Sequence, residues 1–199
     1  MSSARPTLAQ VHHRRKLGLW LSVLPLGALL LCVAPLLREG SFGEEAIEWV
    51  GYAFIVLAVL GRTWCTLYIG GRKKSEVVDT GPYSLSRNPL YVFSVLGALG
   101  MGMASGSATL GVAFAVFAFV VFDLVVRREE TYLAERHGED YQGYLRTTPR
   151  WVSFAATWRD VQSLEVRPRL VLRTFRDACL MLVAMPLFEA IGKLHELAG

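Results

Sequence analysis

Apolar residues run through this chain in long blocks separated by short charged segments. Leu17 to Leu37 is free of charge over 21 positions, enough to cross the hydrocarbon core of a bilayer as a helix. The block is too long, and too poor in a small-residue cleavage site, for a signal peptide. Trp49 to Ile69 is a second block, interrupted only by Arg62. Asn88 to Phe122 holds 35 residues without a formal charge. As one helix it would reach about 50 Å at roughly 1.5 Å per residue, too long for a single span. Its middle, GMGMASGSATLG, supplies the turn-prone residues at which a reversal falls. Two full spans and a turn need more than about 40 residues. The run therefore predicts a tight, slightly short hairpin, Pro89 to Ala104 and Ala108 to Val126, whose Gly, Ala and Ser residues let the backbones approach closely.

Beyond the hairpin the pattern changes character. RREETYLAERHGEDYQGYLRTTPRW is polar, yet Glu130, Leu133, His137, Tyr141 and Tyr144 step by three and four and share one helical face. A helix outside the membrane is predicted from about Arg127 to Arg146, stopped by Thr147-Thr148-Pro149. In the last third, Arg167, Arg169, Arg173 and Arg176 precede an apolar run of only 11 residues, Ala178 to Phe188. That is short for a span, but it has no polar face, which favours a final crossing over a helix lying on the surface. The fold class is thus all-α, a multi-span transmembrane bundle of four spans and an expected fifth, forming one integral membrane domain over 1–199. Residues 152–199 form its basic C-terminal segment.

Charge fixes the expected orientation. His12, His13, Arg14, Arg15 and Lys16 precede the first span and Arg72, Lys73 and Lys74 follow the second, whereas REGSFGEE between them is mainly acidic. This is the positive-inside pattern, with a cytoplasmic N-terminus and a cytoplasmic 70–88 loop. The net charge of +4 is accounted for by topology and does not point to nucleic acid. Cys32, Cys65 and Cys179 are isolated in apolar stretches, with no CxxC and no Cys/His cluster, so neither a metal site nor a disulfide framework is indicated. HELAG at the C-terminus is not a prenylation box.

Chemistry can live at two places. In SRNPLY, Asn88 is a good N-cap and Pro89 suits the first helical position. The helix start turns free N–H groups toward the interface, where they attract carboxylates or phosphates, and Arg87 adds a positive charge. The plainer reading is a capped helix with a snorkelling arginine. Glu129 and Glu130 stand where the fourth span leaves the membrane. They can bind an ammonium group or accept a proton, or simply balance Arg127 and Arg128. Arg62 and Asp123 lie inside spans, where charge usually has a function or a partner; Arg127 at i+4 is the plain partner for Asp123. Tyr83, Tyr91, Tyr132, Tyr141 and Tyr144 fit an interfacial aromatic belt, and their ring faces also suit a sulfonium or ammonium cation.

The order of these features is more specific than any one of them. TGPYSLSRNPLY, an uncharged hairpin, then EETYLAERHGEDYQGYLRTTPR resembles the isoprenylcysteine carboxyl methyltransferase and phospholipid methyltransferase superfamily. Those proteins carry a GPY-x3-RHPxY block before a membrane hairpin and an EExxL-x4-G-x2-Y-x2-Y-x4-P block after it. Gly81, Pro82, Tyr83, Arg87, Pro89 and Tyr91 match the first block, and Glu129, Glu130, Leu133, Gly138, Tyr141, Tyr144 and Pro149 the second. The resemblance covers residues 60–151, the expected catalytic region. It implies S-adenosylmethionine as methyl donor at the cytoplasmic membrane face and a lipophilic acceptor from the bilayer. By position, Val77, Val78, Tyr83, Asn88, Pro89, Leu90, Tyr91, Glu129 and Glu130 are expected at the donor, with Gly100 and Gly102 matching a GxG of the phospholipid branch. Arg87 and Arg150 are expected to steer a carboxylate acceptor of the prenylcysteine type. With an ethanolamine phospholipid instead, Glu129 or Glu130 would be the base. A non-catalytic membrane factor on the same scaffold is the alternative of another kind. One departure stands out: the superfamily's usual histidine is Asn88, which can donate a hydrogen bond but cannot act as a base near neutral pH.

Overall fold

A computed structural model of the chain describes residues 42–72, 75–153 and 156–183, together with Pro186 and Ala190. The expected first span, Leu17 to Leu37, lies outside the described residues, as do 184, 185, 187 and 188 of the Ala178 to Phe188 run. Within them the fold is all-helical, with five helices in the order α1 (Phe42–Ile69), α2 (Pro82–Leu85), α3 (Pro89–Met103), α4 (Ala108–Thr147) and α5 (Pro168–Cys179). A single 3-10 turn, Leu180–Val183, follows α5.

Helix α1 begins seven residues before the apolar block that predicted it. Glu44 and Glu45 occupy its first turn, where carboxylates complement the positive end of the helix dipole. The acidic segment, read from the sequence as loop, is partly helix. At the hairpin the expectation and the structure agree closely. α3 ends at Met103, Gly106 takes the left-handed turn conformation at φ 83°, and the Ser107 side chain caps α4 by accepting from the Leu110 N–H at 3.3 Å.

Small residues set how the helices meet. A Cβ on Gly100 would lie 2.6 Å from the Gly51 carbonyl oxygen, and one on Gly102 would lie 2.6 Å from the Gly111 Cα. These glycines are where α3 crosses α1 and α4, backbone against backbone. Outward, α1 and α4 carry exposed Val50, Val56, Leu57 and Leu60, and Val112, Val116, Phe117, Val120 and Leu124. Both helices are long and apolar enough to cross a membrane, and this apolar outer surface is what hydrocarbon would cover. α3 is apolar but shorter.

The predicted boundary at Arg127 is absent. α4 runs unbroken out of its apolar part into the charged segment, because RREETYLAER contains only helix-compatible residues and neither Gly nor Pro. The first 30 residues of α4 span about 45 Å by helical rise, well beyond a hydrocarbon core of about 30 Å. Only Gly138, at φ 54° and ψ −127°, leaves helical geometry. That region is open almost solely to glycine.

α5 packs along α1. Leu170 lies beside Gly70, and Gly97 lies against both Met181 and Ala58. Met181 and Leu182 also join the cluster around Ile55 and Ala104. The described part of this segment therefore descends alongside α1, with Arg169, Arg173 and Arg176 exposed.

Candidate functional site

The polar end of the bundle is built by lacing the 81–91 segment to the 144–160 segment. Gly81, at φ 59°, passes so close to the Tyr68 ring that a Cβ would sit 2.2 Å from it. Its N–H donates to the Arg159 carbonyl at 2.7 Å, while the Arg159 N–H donates to Ser84 Oγ at 3.1 Å. The Tyr144 hydroxyl donates to the Tyr83 carbonyl at 2.7 Å. The Arg87 N–H donates to the Pro149 carbonyl at 2.9 Å, and its guanidinium reaches the Leu145 carbonyl at 3.1 Å. Trp64 stacks on Trp158 with ring centres 5.7 Å apart, and the Tyr68 hydroxyl donates to Asp160 at 3.1 Å. Residues 149–153 and 156–160 thus strap the 81–88 segment to the end of α4.

Glu130 is the electrostatic centre of this end. It is buried, with Arg150 Nη2 at 2.7 Å and Arg87 Nε at 3.1 Å. Arg150 Nε adds a bond of 2.9 Å. Asn88 Nδ2 donates to it at 3.3 Å and also to the Arg150 carbonyl at 3.3 Å. Asn88 does stand at the N-cap position of α3, but its side chain makes no capping bond. The buried carboxylate and carbonyl take its amide instead, correcting the simple helix-cap reading. Its own backbone N–H donates to Ser86 Oγ at 3.1 Å. Hydrogen bonding to Glu130 raises the Arg150 pKa, so that guanidinium is firmly charged.

Glu129, one residue earlier and about 100° round the helix, has a different setting. It accepts from the Tyr91 hydroxyl at 3.2 Å, and the Tyr91 ring leans on Phe122 with centres 5.1 Å apart.

Both glutamates line a cavity closed by Ile69 at the end of α1, by Glu76, Val77 and Val78, by Tyr83, Arg87 and Asn88, and by Leu133, His137, Tyr141 and Tyr144 of α4. Burial raises the phenol pKa of Tyr83 and Tyr144, and that of Tyr141 to about 12, the last with help from the Glu130 charge. All three rings are neutral at physiological pH.

Of the residues expected at the donor, Val77, Val78, Tyr83, Asn88, Glu129 and Glu130 meet at this cavity, and Arg87 joins them. Tyr91 stands behind Glu129. Pro89 is buried at the helix start and Leu90 packs on the Cys65–Tyr83 cluster. Arg150 reaches Glu130 from an open groove on the other side of α4. Gly100 and Gly102 do not line the cavity; they sit at the helix crossings already described. The sequence reading left Leu133 and His137 unassigned to a ligand, and offered Tyr141 and Tyr144 only as ring faces for a cation. Their signal was present as the shared helical face, which an aromatic belt explained equally well.

The donor set fits S-adenosylmethionine by chemistry. Carboxylate, neutral aromatic rings and aliphatic side chains share one small space beside the first turn of α3. Among the described residues no three His, Cys, Asp or Glu side chains are grouped to hold a metal ion.

Comparison with known proteins gives a consistent but broader picture. The sequence model for phospholipid methyltransferases matches residues 48–140. The nickel-cobalt-cadmium resistance protein NccN of Alcaligenes xylosoxydans xylosoxydans is 31% identical over 165 residues, which is 83% of this chain and 77% of that relative. The cobalt-zinc-cadmium resistance protein CzcN of Cupriavidus metallidurans is 30% identical over 183 residues, 92% of this chain and 84% of the relative. No solved structure matches.

Proposed function

The chain belongs to the phospholipid methyltransferase family, and from that premise we propose that it is an integral membrane enzyme transferring a methyl group from S-adenosylmethionine to a lipophilic acceptor. The observation that carries this reading is convergence. Two blocks more than thirty residues apart, 77–88 and 129–144, close one cavity where α4 leaves its apolar part. We place that end in the cytoplasm, a reading supported by the distribution of Lys and Arg along the sequence.

S-adenosylmethionine would supply a methyl carbon already activated by its sulfonium. The chain's task is then to position, neutralise and exclude water. Glu129 holds the donor's ammonium, and the tyrosine faces accommodate the sulfonium. Val77 and Val78 supply apolar contact. Glu130 has a different task. Bound by two guanidiniums and an amide, it fixes Arg87, Asn88 and Arg150 relative to α4.

That pairing bears on the acceptor. Arg87 and Arg150 were the groups expected to steer a carboxylate, and both are engaged by Glu130. An amine acceptor of the ethanolamine phospholipid type asks nothing of them: its ammonium gives up a proton to water at the membrane interface, the free amine takes the methyl group and S-adenosylhomocysteine leaves, and we place it ahead of a prenylcysteine carboxylate. The two relatives carry names of metal-resistance proteins, and we place this methylation in the same physiological setting, as a membrane modification that accompanies tolerance of divalent metals.

Thermal shift of the purified protein with S-adenosylhomocysteine tests the donor. Stabilisation is expected in the wild type, reduced at least tenfold in apparent affinity by Glu129→Ala and by Tyr91→Ala. Absence of binding, or binding indifferent to both substitutions, would favour a non-catalytic membrane factor on this scaffold.

A further inference from the structure

His137 is unexplained by the roles given so far. Its Nε2 is buried and has no hydrogen-bond partner, although the ring lines the cavity. Buried polar atoms are nearly always paired, so an orphan facing a cavity calls for a ligand. The position is also defined by backbone geometry. His137 is the last residue before the break at Gly138 (φ 54°, ψ −127°), beyond which α4 resumes and returns Tyr141 to the same cavity.

Spacing along α4 indicates which part of a ligand His137 meets. It lies eight residues beyond Glu129, about 12 Å along the helix axis at 1.5 Å per residue. That distance is comparable to the length of an extended adenosyl amino acid. With the charged amino-acid end at Glu129, the nucleoside end falls at His137. Its surroundings suit a flat, mostly apolar ring: Val77 and Val78 on the facing loop, Leu133 one turn earlier and the neutral Tyr141 ring one turn later. Such pockets orient a ligand with one or two polar groups on an otherwise apolar wall.

We propose that His137 recognises the adenine of the donor, its Nε2 making the hydrogen bond to the edge of the purine that fixes the nucleoside in the slot. The assignment rests on the methyl-donor reading above and deepens it. It makes His137 a specificity-determining residue at the end of the cavity opposite Glu129.

The test is a binding comparison needing no turnover. S-adenosylhomocysteine and S-inosylhomocysteine, which differ only on the purine edge, are titrated against wild type, His137→Phe, His137→Gln and Glu129→Ala. The wild type should prefer the adenosyl ligand about tenfold, the loss expected when a buried polar group goes unpaired. His137→Phe, which keeps the ring and removes its nitrogens, should weaken that ligand about tenfold and abolish the preference; His137→Gln should restore part of it. Glu129→Ala should weaken both ligands equally and leave the preference intact. Full affinity and full preference in both His137 variants would overturn the proposal while leaving the donor reading standing. Loss confined to a 2′-deoxyribose analogue would move the contact to the sugar and overturn the adenine assignment. A wild type that binds neither ligand removes the donor reading, and this assignment with it.

Discussion

Glu129 and Glu130 are adjacent in sequence and opposite in circumstance. Removing Glu130 strands two guanidiniums, of which Arg87 is only 10% exposed in its side chain; breaking such a buried pair from one side costs about 3–5 kcal/mol. Glu130→Ala is therefore expected to lower stability by about 3 kcal/mol, seen as a lower thermal midpoint in detergent, whereas Glu129→Ala should keep the wild-type midpoint and lose donor affinity. The tyrosines add a pH dependence with a definite sign. Tyr83, Tyr141 and Tyr144 hold their protons in the folded state above the usual phenol value of about 10. Stability from this source is complete below about pH 10 and falls as pH rises from there toward 12, because the unfolded chain ionises first. Alkaline unfolding followed by tyrosinate absorbance should show the chain losing structure over that window, with Tyr144→Phe less sensitive than wild type. At this scale the sequence disclosed which side chains matter but not their partners. Asn88 looks like an N-cap in any local window, and only the buried carboxylate 42 residues away shows why its amide turns elsewhere.

The helices themselves were legible where composition changes sharply. The Asn88–Pro89 entry, the glycine-rich reversal and the Thr147–Pro149 stop are marked by residues with one strong backbone preference. The join between the apolar and polar parts of α4 was not, since a change from Val to Arg alters solvent preference and leaves helix propensity intact. Gly138 was visible only as a motif position, and its role is conformational. No atom lies within 4 Å of a Cβ placed there, so Gly138→Ala pays only backbone strain, of the order of 1–3 kcal/mol. If α4 straightens to relieve it, Tyr141 and Tyr144 leave the cavity wall and the bond from the Tyr144 hydroxyl to Tyr83 is lost. The expected outcome is a lower thermal midpoint together with weaker S-adenosylhomocysteine binding. A variant with unchanged binding would show that the break in α4 does not shape the cavity. Gly102→Val is expected to fail earlier, at membrane assembly, because its side chain meets the Gly111 backbone.

On the scale of the molecule, a lipid-facing bundle carries a charged, strapped end in which sequence-distant segments meet. The 149–160 strap escaped the sequence reading for a physical reason: it has neither helical nor strand periodicity, and it is held by main-chain bonds such as Gly81 to Arg159 that any residue types can make. It matters because it holds the 81–87 segment, which carries Tyr83 and Arg87 to the cavity. Loss of the Trp64–Trp158 stack in Trp158→Ala should loosen that hold, raising proteolysis around residue 158 while leaving the buried helices protected. The methyl transfer proposed above is a single chemical event, and reconstitution measures it directly. Purified protein in vesicles containing phosphatidylethanolamine is supplied with methyl-labelled S-adenosylmethionine, and the lipid is extracted and treated with alkali. Label is expected in the lipid extract, retained under alkali on the head-group nitrogen and not released as volatile methanol, and absent with Glu129→Ala. Lipid carrying no more label with the wild type than with that variant would contradict methyl transfer to a membrane amine.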